Sequence, residues 1–568
     1  MNLLDKSRIV APPGFNRWRV PPASVAIHLC IGSVYAWSLF NPPLTRALGV
    51  VAPAASDWSL EQVVWIFTIA IVFLGLSAAF AGKWLEKAGP RKVGTTAAFC
   101  WGGGFLIAAA GIRWHQLWLV YLGYGVIGGC GLGLGYVSPV STLIKWFPDR
   151  RGMAAGLAIM GFGGGAMVAT PVNEALLAKF SRAPEYLGAE GAVKTEIRGG
   201  RTYTVSPDVS LEREVVILDA ITAGKLTGGV QPGIYVVGSG STGIVETFVV
   251  LGLGYTIIML AAAFAYRIPP DGWKPPGWEP PAETSSAMIT RLDIDADTAL
   301  RTPQFYLLWT VLCLNVSAGI GVLSVAKTMM TEIFGSAYPD VVSAGFASTY
   351  VLLISVFNMA GRFFWASVSD RIGRKRVYSI FFVLGIVLYA AIPTIGHQAM
   401  ATRDIGWLAA FYGVTLMIFS MYGGGFATIP AYLSDLFGTK NVGAIHGRLL
   451  TAWSTAGVLG PLAITRMRES SRLAAIRKLV DDIGQTDFWK RFGEGTDKLD
   501  ELVRNNIVTI PRLLELAPRA ADPTPTLYDS TMYTMAALLG IALVANLLVR
   551  PVNTSHFDEG LTHHDRCD

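Results

Sequence analysis

Charge is what this sequence has least of. Of its 568 residues only 15% are Asp, Glu, Lys or Arg, against about 25% in ordinary soluble domains. A chain with 52% hydrophobic residues and a mean hydropathy of +0.45 would, in water, expose apolar patches too large to stay in solution. That excludes a soluble enzyme of several domains, and equally an intrinsically disordered or fibrous chain. Cysteine is scarce as well: Cys30, Cys100, Cys130, Cys313 and Cys567 are scattered, four of them in apolar runs. Neither a disulfide framework nor a metal cluster follows from such spacing. P-loops, metal-ligand spacings and nucleophile–base pairs are missing, so no catalytic site, metal or cofactor is expected. The alternating ten-residue segments of a membrane β-barrel are missing too. The formal net charge of +6 suggests nucleic acid only until the cations are placed. What remains is an integral membrane protein.

Apolar runs of transmembrane length, ~17–25 residues, lie near 21–41, 62–82, 92–112, 117–144, 152–178, 247–266, 304–326, 344–368, 377–396, 406–433, 444–465 and 530–549. Twelve helices are expected. The first run is full length and carries no small-residue cleavage site, so it is not read as a signal peptide. One set of loops holds Lys6, Arg8, Arg17, Arg19, Lys83, Lys87, Arg91, Lys92, Lys145, Arg150 and Arg151, then Arg267, Lys274, Arg371, Arg374, Lys375, Arg376 and Lys440. The short loops opposite hold little beyond Arg46, Arg113, Lys327 and Arg403. By the positive-inside rule both termini are cytoplasmic.

The expected organisation is a cytoplasmic segment 1–20, a six-helix bundle 21–266, a cytoplasmic linker 267–303, a second bundle 304–550 and a cytoplasmic tail 551–568. Two long outer loops interrupt it. Residues 179–246 read as β-rich, with Thr202–Val205, Val215–Leu218 and Gly233–Val237 between glycines. Residues 466–527 read as helical and polar, with Leu473, Ile476, Leu479, Val480 and Ile483 at helical spacing. The two occupy equivalent places in the two halves, either as a cap over the outer mouth or as tolerated loop expansions.

Gly82–Lys92 after the second span and Ala366–Arg376 after the eighth both read small-x-x-x-acid-x-x-Gly-x-basic-basic. Gly131–Tyr136 ending at Pro139 in the fourth span is echoed loosely by Gly423–Phe426 ending at Pro430 in the tenth. Two parallel six-helix halves place a substrate path between them near the bilayer midplane. With this repeated loop the chain resembles the major facilitator superfamily. Ile27–Phe40, Gly135–Pro139, Lys145–Gly152 and Gly161–Gly163 sharpen the resemblance to the oxalate/formate-antiporter family, relatives of the monocarboxylate transporters. The implied fold is all-α, twelve transmembrane helices in two pseudo-symmetric bundles with two extracytoplasmic insertions. The implied substrates are small organic anions.

Arg362 lies within the eighth span, where a guanidinium costs ~2.5–3.5 kcal/mol on insertion scales and should face a cavity or a partner. Its fork can hold a carboxylate through two parallel hydrogen bonds; the alternative is a structural cation snorkelling to the headgroups. The resemblance favours the first, since the matching arginine binds the substrate carboxylate in this family. Asn358, one turn earlier, stands where animal monocarboxylate transporters typically have a proton-coupling aspartate. Without a carboxylate near the centre of any span, His446 and His28 are the proton-relay candidates, although a lone membrane histidine is more often a satisfied packing residue. Where oxalate exchangers place a second cation in the eleventh helix, this chain has Trp453, and Leu449–Thr465 contains no cation; one buried cation suits a monoanion. Tyr136 matches a cavity-facing position in the family or packs among glycines. Tyr35, Trp37 and Asn315 complete the candidate binding residues. The repeated loops are candidate gate elements: Glu86 with Arg91 and Lys92, Asp370 with Lys375 and Arg376, and Asp149, Arg150 and Arg151 beside them.

The reading is a monomeric secondary transporter in a bacterial plasma or inner membrane, with partners limited to the bilayer, a small organic anion and a proton or counter-anion. Lactate, pyruvate and formate are the candidate substrates. An oxalate-type dicarboxylate exchanger and a membrane receptor with vestigial transport are the alternatives. Nucleic acid is not an expected partner.

Overall fold

The computed structural model describes residues 3–198, 201–205, 212–218, 223, 230–279, 288–290, 292–504, 507–553 and 556. Cys567, most of the tail 551–568 and part of the linker 267–303 therefore lie outside the described residues. Eleven helices among the described residues are long and apolar enough to cross a membrane, and a twelfth, in the eleventh position, completes the bundle. In chain order the helices are Pro21–Gly32 (continued as 3-10 turns through Phe40), Leu60–Ala88, Pro90–Arg113, Leu117–Trp146, Arg151–Phe180, Ile244–Ala265, Pro303–Phe334, Ala344–Ile372, Arg374–Thr402, Ile405–Phe437, the broken pair Val442–Leu449 and Thr451–Ile483, and Asp529–Leu548.

Local chemistry sets their ends. Ser59 and Gln62 form a reciprocal capping box at the second helix, which satisfies two of its orphan N–H groups. Ser343 accepts from Phe346 N–H at the eighth. Pro90 and Pro303 open the third and seventh helices, where a missing N–H costs nothing. The second and eighth helices stop at Gly89 and Gly373, with φ of 84° and 91°, a backbone region that side chains disfavour.

Two compact units emerge: Met1–Arg301 with Pro430–Ser454 and Pro551–Asp568, and Thr302–Ile429 with Thr455–Arg550. The segment Pro430–Ser454, the end of the tenth helix and the start of the eleventh, thus belongs with the first unit. Small residues explain the attachment. A Cβ on Gly82 would run into Ala444, and one on Gly447 would meet the Ala78 carbonyl.

In the first unit, the insertion after the fifth helix is a five-stranded antiparallel sheet of β1 (Tyr186–Gly188), β2 (Thr195–Arg198), β3 (Arg201–Thr204), β4 (Glu214–Leu218) and β5 (Gly233–Val236) in the order β1-β5-β4-β3-β2. Val216, Leu218 and Tyr235 pack on Val51 and Ala54 of the first outer loop. Gly238 N–H donates to Leu48 O at 2.9 Å, while Asp57 accepts from the N–H groups of Leu48, Gly49 and Ala54. The sheet is pinned to the outer loop by its own core.

In the second unit, the eleventh helix does not end at residue 465, as expected from hydropathy, but continues to Ile483. Pro461 lies inside it, and Gly484 with φ 81° ends it. The polar stretch after residue 465 keeps good helix formers, so the chain stays helical after leaving its apolar run. Arg468 there forms a bidentate pair with Glu332 at the end of the seventh helix, and Tyr528 Oη donates to Glu332 Oε2 at 2.7 Å.

Candidate functional site

Arg362 is 0% exposed, in the later half of the eighth helix, which packs on the tenth through glycines. Gly361 faces the Ser420 carbonyl, Gly423 the Asn358 carbonyl and Gly424 the Trp365 side chain, each too close for a Cβ. The eighth and tenth helices therefore touch backbone to backbone. In that setting Arg362 Nε donates to Asn358 Oδ1 at 3.0 Å, and the guanidinium lies 5.2 Å from the Phe426 ring centroid. A hydrogen bond from Nε and an aromatic face fix the guanidinium plane. Asn315, 7% exposed, abuts Gly425, whose carbonyl accepts from Tyr378 Oη at 2.5 Å. The one-turn spacing read from the sequence thus brings Arg362 and Asn358 together. Phe426 went unmarked, because a phenylalanine in an apolar helix gives no signal of its own.

Most of the remaining candidates meet in the first unit. Tyr136 is fully buried, 5.4 Å from Trp453, 5.9 Å from His446, 5.3 Å from Phe162 and 5.1 Å from His28, centroid to centroid. Tyr35 packs edge-on against Phe162 at 5.2 Å, as does Trp453 at 5.3 Å. Phe162 is thus the hub that sequence reasoning missed. Trp37 is elsewhere: it packs 4.3 Å from Tyr124 and 5.7 Å from Phe40, in a purely aromatic cluster with Phe248.

The loop charges choose partners other than those expected from spacing. Glu86 does not pair with Arg91 or Lys92; its Oε2 accepts from Lys145 at 2.5 Å and its carbonyl from Lys6 at 2.8 Å. Arg91, 6% exposed, donates instead to the carbonyls of Leu3, Phe264 and Tyr266, and Lys92 is exposed. Asp370 pairs with Arg374 at 2.6 Å rather than with Lys375 or Arg376. Lys375 donates to Leu547 O and Val549 O, both at 2.8 Å, and Arg376 is exposed. The physical reason is reach. Arg91 and Lys375, each two residues past the helix-ending glycine, reach carbonyls at the end of a neighbouring helix, whereas Arg374, directly after Gly373, reaches back to Asp370. Asp149 takes both Arg17 nitrogens, at 2.6 and 3.0 Å, Arg150 is mostly exposed at its edge, and Arg151 pairs with Asp435 at 3.2 Å.

One element of this layer carried no sequence signal. The linker stretch before the seventh helix runs along the end of the tenth: Thr290 N–H donates to Asp435 O, Ile294 N–H to Phe437 O, and Lys440 N–H to Asp293 Oδ1. It then places Asp297 between Lys83 and Arg448. Hydrogen bonds from Lys83 and then Arg448 hold the Asp297 carboxyl below its ordinary range.

A twelve-helix membrane bundle with a repeated loop and a buried arginine in a glycine-packed helix pair has the architecture of a membrane transporter. The chain belongs to the Major Facilitator Superfamily, whose family profile matches residues 24–189 and 222–461. It is 26% identical over 452 residues to the oxalate:formate antiporter of Oxalobacter formigenes, covering 78% of this chain and 83% of that one. It is 24% identical over 474 residues to the apicoplast pyruvate carrier 1 of Toxoplasma gondii, covering 74% and 78%. Among solved structures, the E. coli fucose:proton symporter superposes with a TM-score of 0.51 at 12% identity, over 93% of this chain and 97% of that one, a likeness of fold.

Proposed function

We propose that this transporter moves a small monocarboxylate, such as lactate, pyruvate or formate, by alternating access, with Arg362 holding the carboxylate. The observation that carries the reading is the Arg362–Asn358 pair. A fully buried guanidinium whose plane is set by Asn358 and Phe426 is preorganised for a planar anion, and preorganisation lowers the entropy lost on binding. Asn358, being neutral, adds no negative charge beside the guanidinium. The names of the similar antiporter and pyruvate carrier support carboxylates as the substrate class. Tyr136 and Trp453 pack together within the first unit, and within the second Asn315 lies against Gly425. Both termini face the cytoplasm, in a plasma or inner membrane.

Labelled lactate and pyruvate uptake into proteoliposomes tests the reading: a receptor binds saturably without accumulation, a transporter accumulates. Arg362→Lys keeps the charge and loses the fork, and uptake should fall at least ~10-fold, the cost of about one good charge-assisted hydrogen bond. Unchanged uptake kinetics in that variant would remove Arg362 from the site. The similar oxalate:formate antiporter favours a second reading, a dicarboxylate exchanger. Competition separates the two: short monoanions should displace labelled substrate better than oxalate, and oxalate as the tightest competitor would install the exchanger instead.

A further inference from the structure

The last helix of each half, Ile244–Ala265 in one and Asp529–Leu548 in the other, ends beside two cations. In the first unit, Arg91 Nη2 donates to Phe264 O at 3.0 Å and to Tyr266 O at 3.4 Å. Arg267 Nη1 donates to the same two oxygens, at 3.4 and 2.9 Å. Two guanidiniums thus converge on one helix end, close enough to repel each other. In the second unit, Lys375 Nζ donates to Leu547 O and Val549 O. Arg550, the next residue, is an exposed cation within electrostatic reach of that amine. None of the four cations has an ion-pair partner among the described residues, and the acids of the same loops are committed elsewhere, Glu86 to Lys145 and Asp370 to Arg374.

A helix C-terminus presents about half a negative charge, so two cations leave a surplus of about one and a half positive charges at each helix end. Arg91 is almost wholly buried, and its Nε has no hydrogen-bond partner among the described residues. A buried donor on a charged group calls for an acceptor. The surroundings say what kind of anion brings one. Phe264, whose ring centroid lies 5.5 Å from the Arg91 guanidinium, is 43% exposed, and Leu547 and Leu548 are more than half exposed. On a membrane helix such side chains meet acyl chains. A phosphate diester carried on acyl chains matches both features, and arginine forks hold phosphate oxygens in pairs. A zwitterionic headgroup brings its own cation, which a basic pair repels.

We propose that each half of this protein binds the phosphate of an anionic phospholipid, such as phosphatidylglycerol, at the end of its last helix. Arg91 and Arg267 hold it in the first unit, Lys375 and Arg550 in the second. The phosphate relieves the repulsion within each basic pair, so the lipid fastens the repeated loop to the last helix of its half. Binding to the folded chain also stabilises it by mass action.

The test titrates purified full-length protein in detergent with phosphatidylglycerol, phosphatidylcholine or inorganic phosphate, and counts bound lipid by native mass spectrometry. The wild type should keep a pair of phosphatidylglycerol molecules under conditions that strip phosphatidylcholine. Arg267→Gln and Arg550→Gln should each lose one, and their combination both. Arg113→Gln, which removes an exposed cation at the far end of the third helix, should lose none. Arg550 is exposed, so its variant keeps the proposal testable should Arg267→Gln not fold. The readout needs no substrate and stands apart from the carboxylate reading. Equal lipid counts in the wild type and the double variant overturn the proposal, as does equal retention of phosphatidylcholine. Loss in one single variant alone overturns the site in the other half. Displacement of phosphatidylglycerol by inorganic phosphate would make these free-phosphate sites and overturn the lipid as their occupant.

Discussion

The two copies of the repeated loop share a pattern and a backbone but not a wiring. Gly89 and Gly373 close the preceding helices with nearly equal φ. Arg91 and Lys375, equivalent in the repeat, make equivalent contacts: each donates to two carbonyls at the end of the last helix of its half, Phe264 and Tyr266 in one case, Leu547 and Val549 in the other. That is a conserved use of cations at helix C-termini. The acids diverge. Asp370 finds Arg374 within its own loop, whereas the first loop has Pro90 at that position and Glu86 turns outward to Lys145 and Lys6. Lys83 likewise reaches the linker at Asp297, while its equivalent Ser367 bonds only its own helix at Phe363 O. The first loop ties together the N-terminus, the fourth helix and the linker; the second pairs its acid within the loop and reaches the last helix of its half through Lys375. One signature has been used once as a junction and once as a cap.

The largest expected effect comes from breaking what the two loops share. Arg91→Met removes three bonds to carbonyls from a buried cation and should cost about 3 kcal/mol, since bonds to charged groups are worth ~1.5–3 each less compensation by water. The heat-unfolding midpoint should drop by several degrees, and Lys375→Met, at a half-buried site with two such bonds, should lower it less. Equal drops would mean that burial makes no difference between the copies.

Breaking the divergent acids should separate the loops more sharply. Glu86→Gln leaves Lys145 without its ion partner in a partly buried site, a loss of about 1–2 kcal/mol between the exposed and buried limits. Asp370→Asn leaves Arg374 its bond to Ser369 Oγ at 2.5 Å. A cysteine placed at Ser141, 3.4 Å from Glu86, should therefore react faster with a water-soluble maleimide in the Glu86→Gln protein and at the wild-type rate in Asp370→Asn. Identical rates in all three proteins would make the junction ornamental.

The Lys83–Asp297–Arg448 clamp gives a pH handle that only the first loop possesses. The folded-state pKa of Asp297 is depressed, so its contribution is present above the ordinary aspartate value of ~3.9 and is lost as pH falls through the depressed value. Hydrogen exchange of residues 292–300, corrected for intrinsic rates, should be flat from pH 8 to pH 5 and rise only below about pH 4. Asp297→Asn should remove that acid step. A transition near pH 6 would point to a different group.

The smallest effect is expected from making the first loop resemble the second. Pro90→Arg offers Glu86 a partner at i+4 worth ~0.3–0.5 kcal/mol but gives up a proline well suited to the first helical turn. The two should nearly cancel, leaving the unfolding midpoint within a degree or two of wild type. A large loss would show that Glu86 cannot leave Lys145.

Hydropathy alone was enough for the twelve spans, because a bilayer demands long apolar helices whatever they pack against. Three of the five strands were visible as β-branched runs between glycines; β1 and β2 are too short and too polar to announce themselves. Arg362 was legible for the same reason as the spans, since a charge at that depth needs an explanation. Ion-pair partners were not. Arg91 and its Phe264 carbonyl stand 173 residues apart, and spacing within one loop cannot anticipate a contact made by tertiary folding. The extension of the eleventh helix past residue 465 escaped because hydropathy reports where the membrane ends, not where the helix does. Phe162 and Phe426 escaped because apolar residues in apolar helices all look alike.

The glycine contacts between the eighth and tenth helices have a consequence for anyone seeking to retune this carrier. Gly361, Gly423 and Gly424 admit no added carbon, so library positions there will return mostly unfolded protein. Arg362 and Asn358 are carried on that welded pair and inherit its intolerance. Selectivity is therefore best sought at side chains rather than at these glycines, with Phe426 and Asn315 the first to vary, and the practical search space contracts from two whole helices to a few positions.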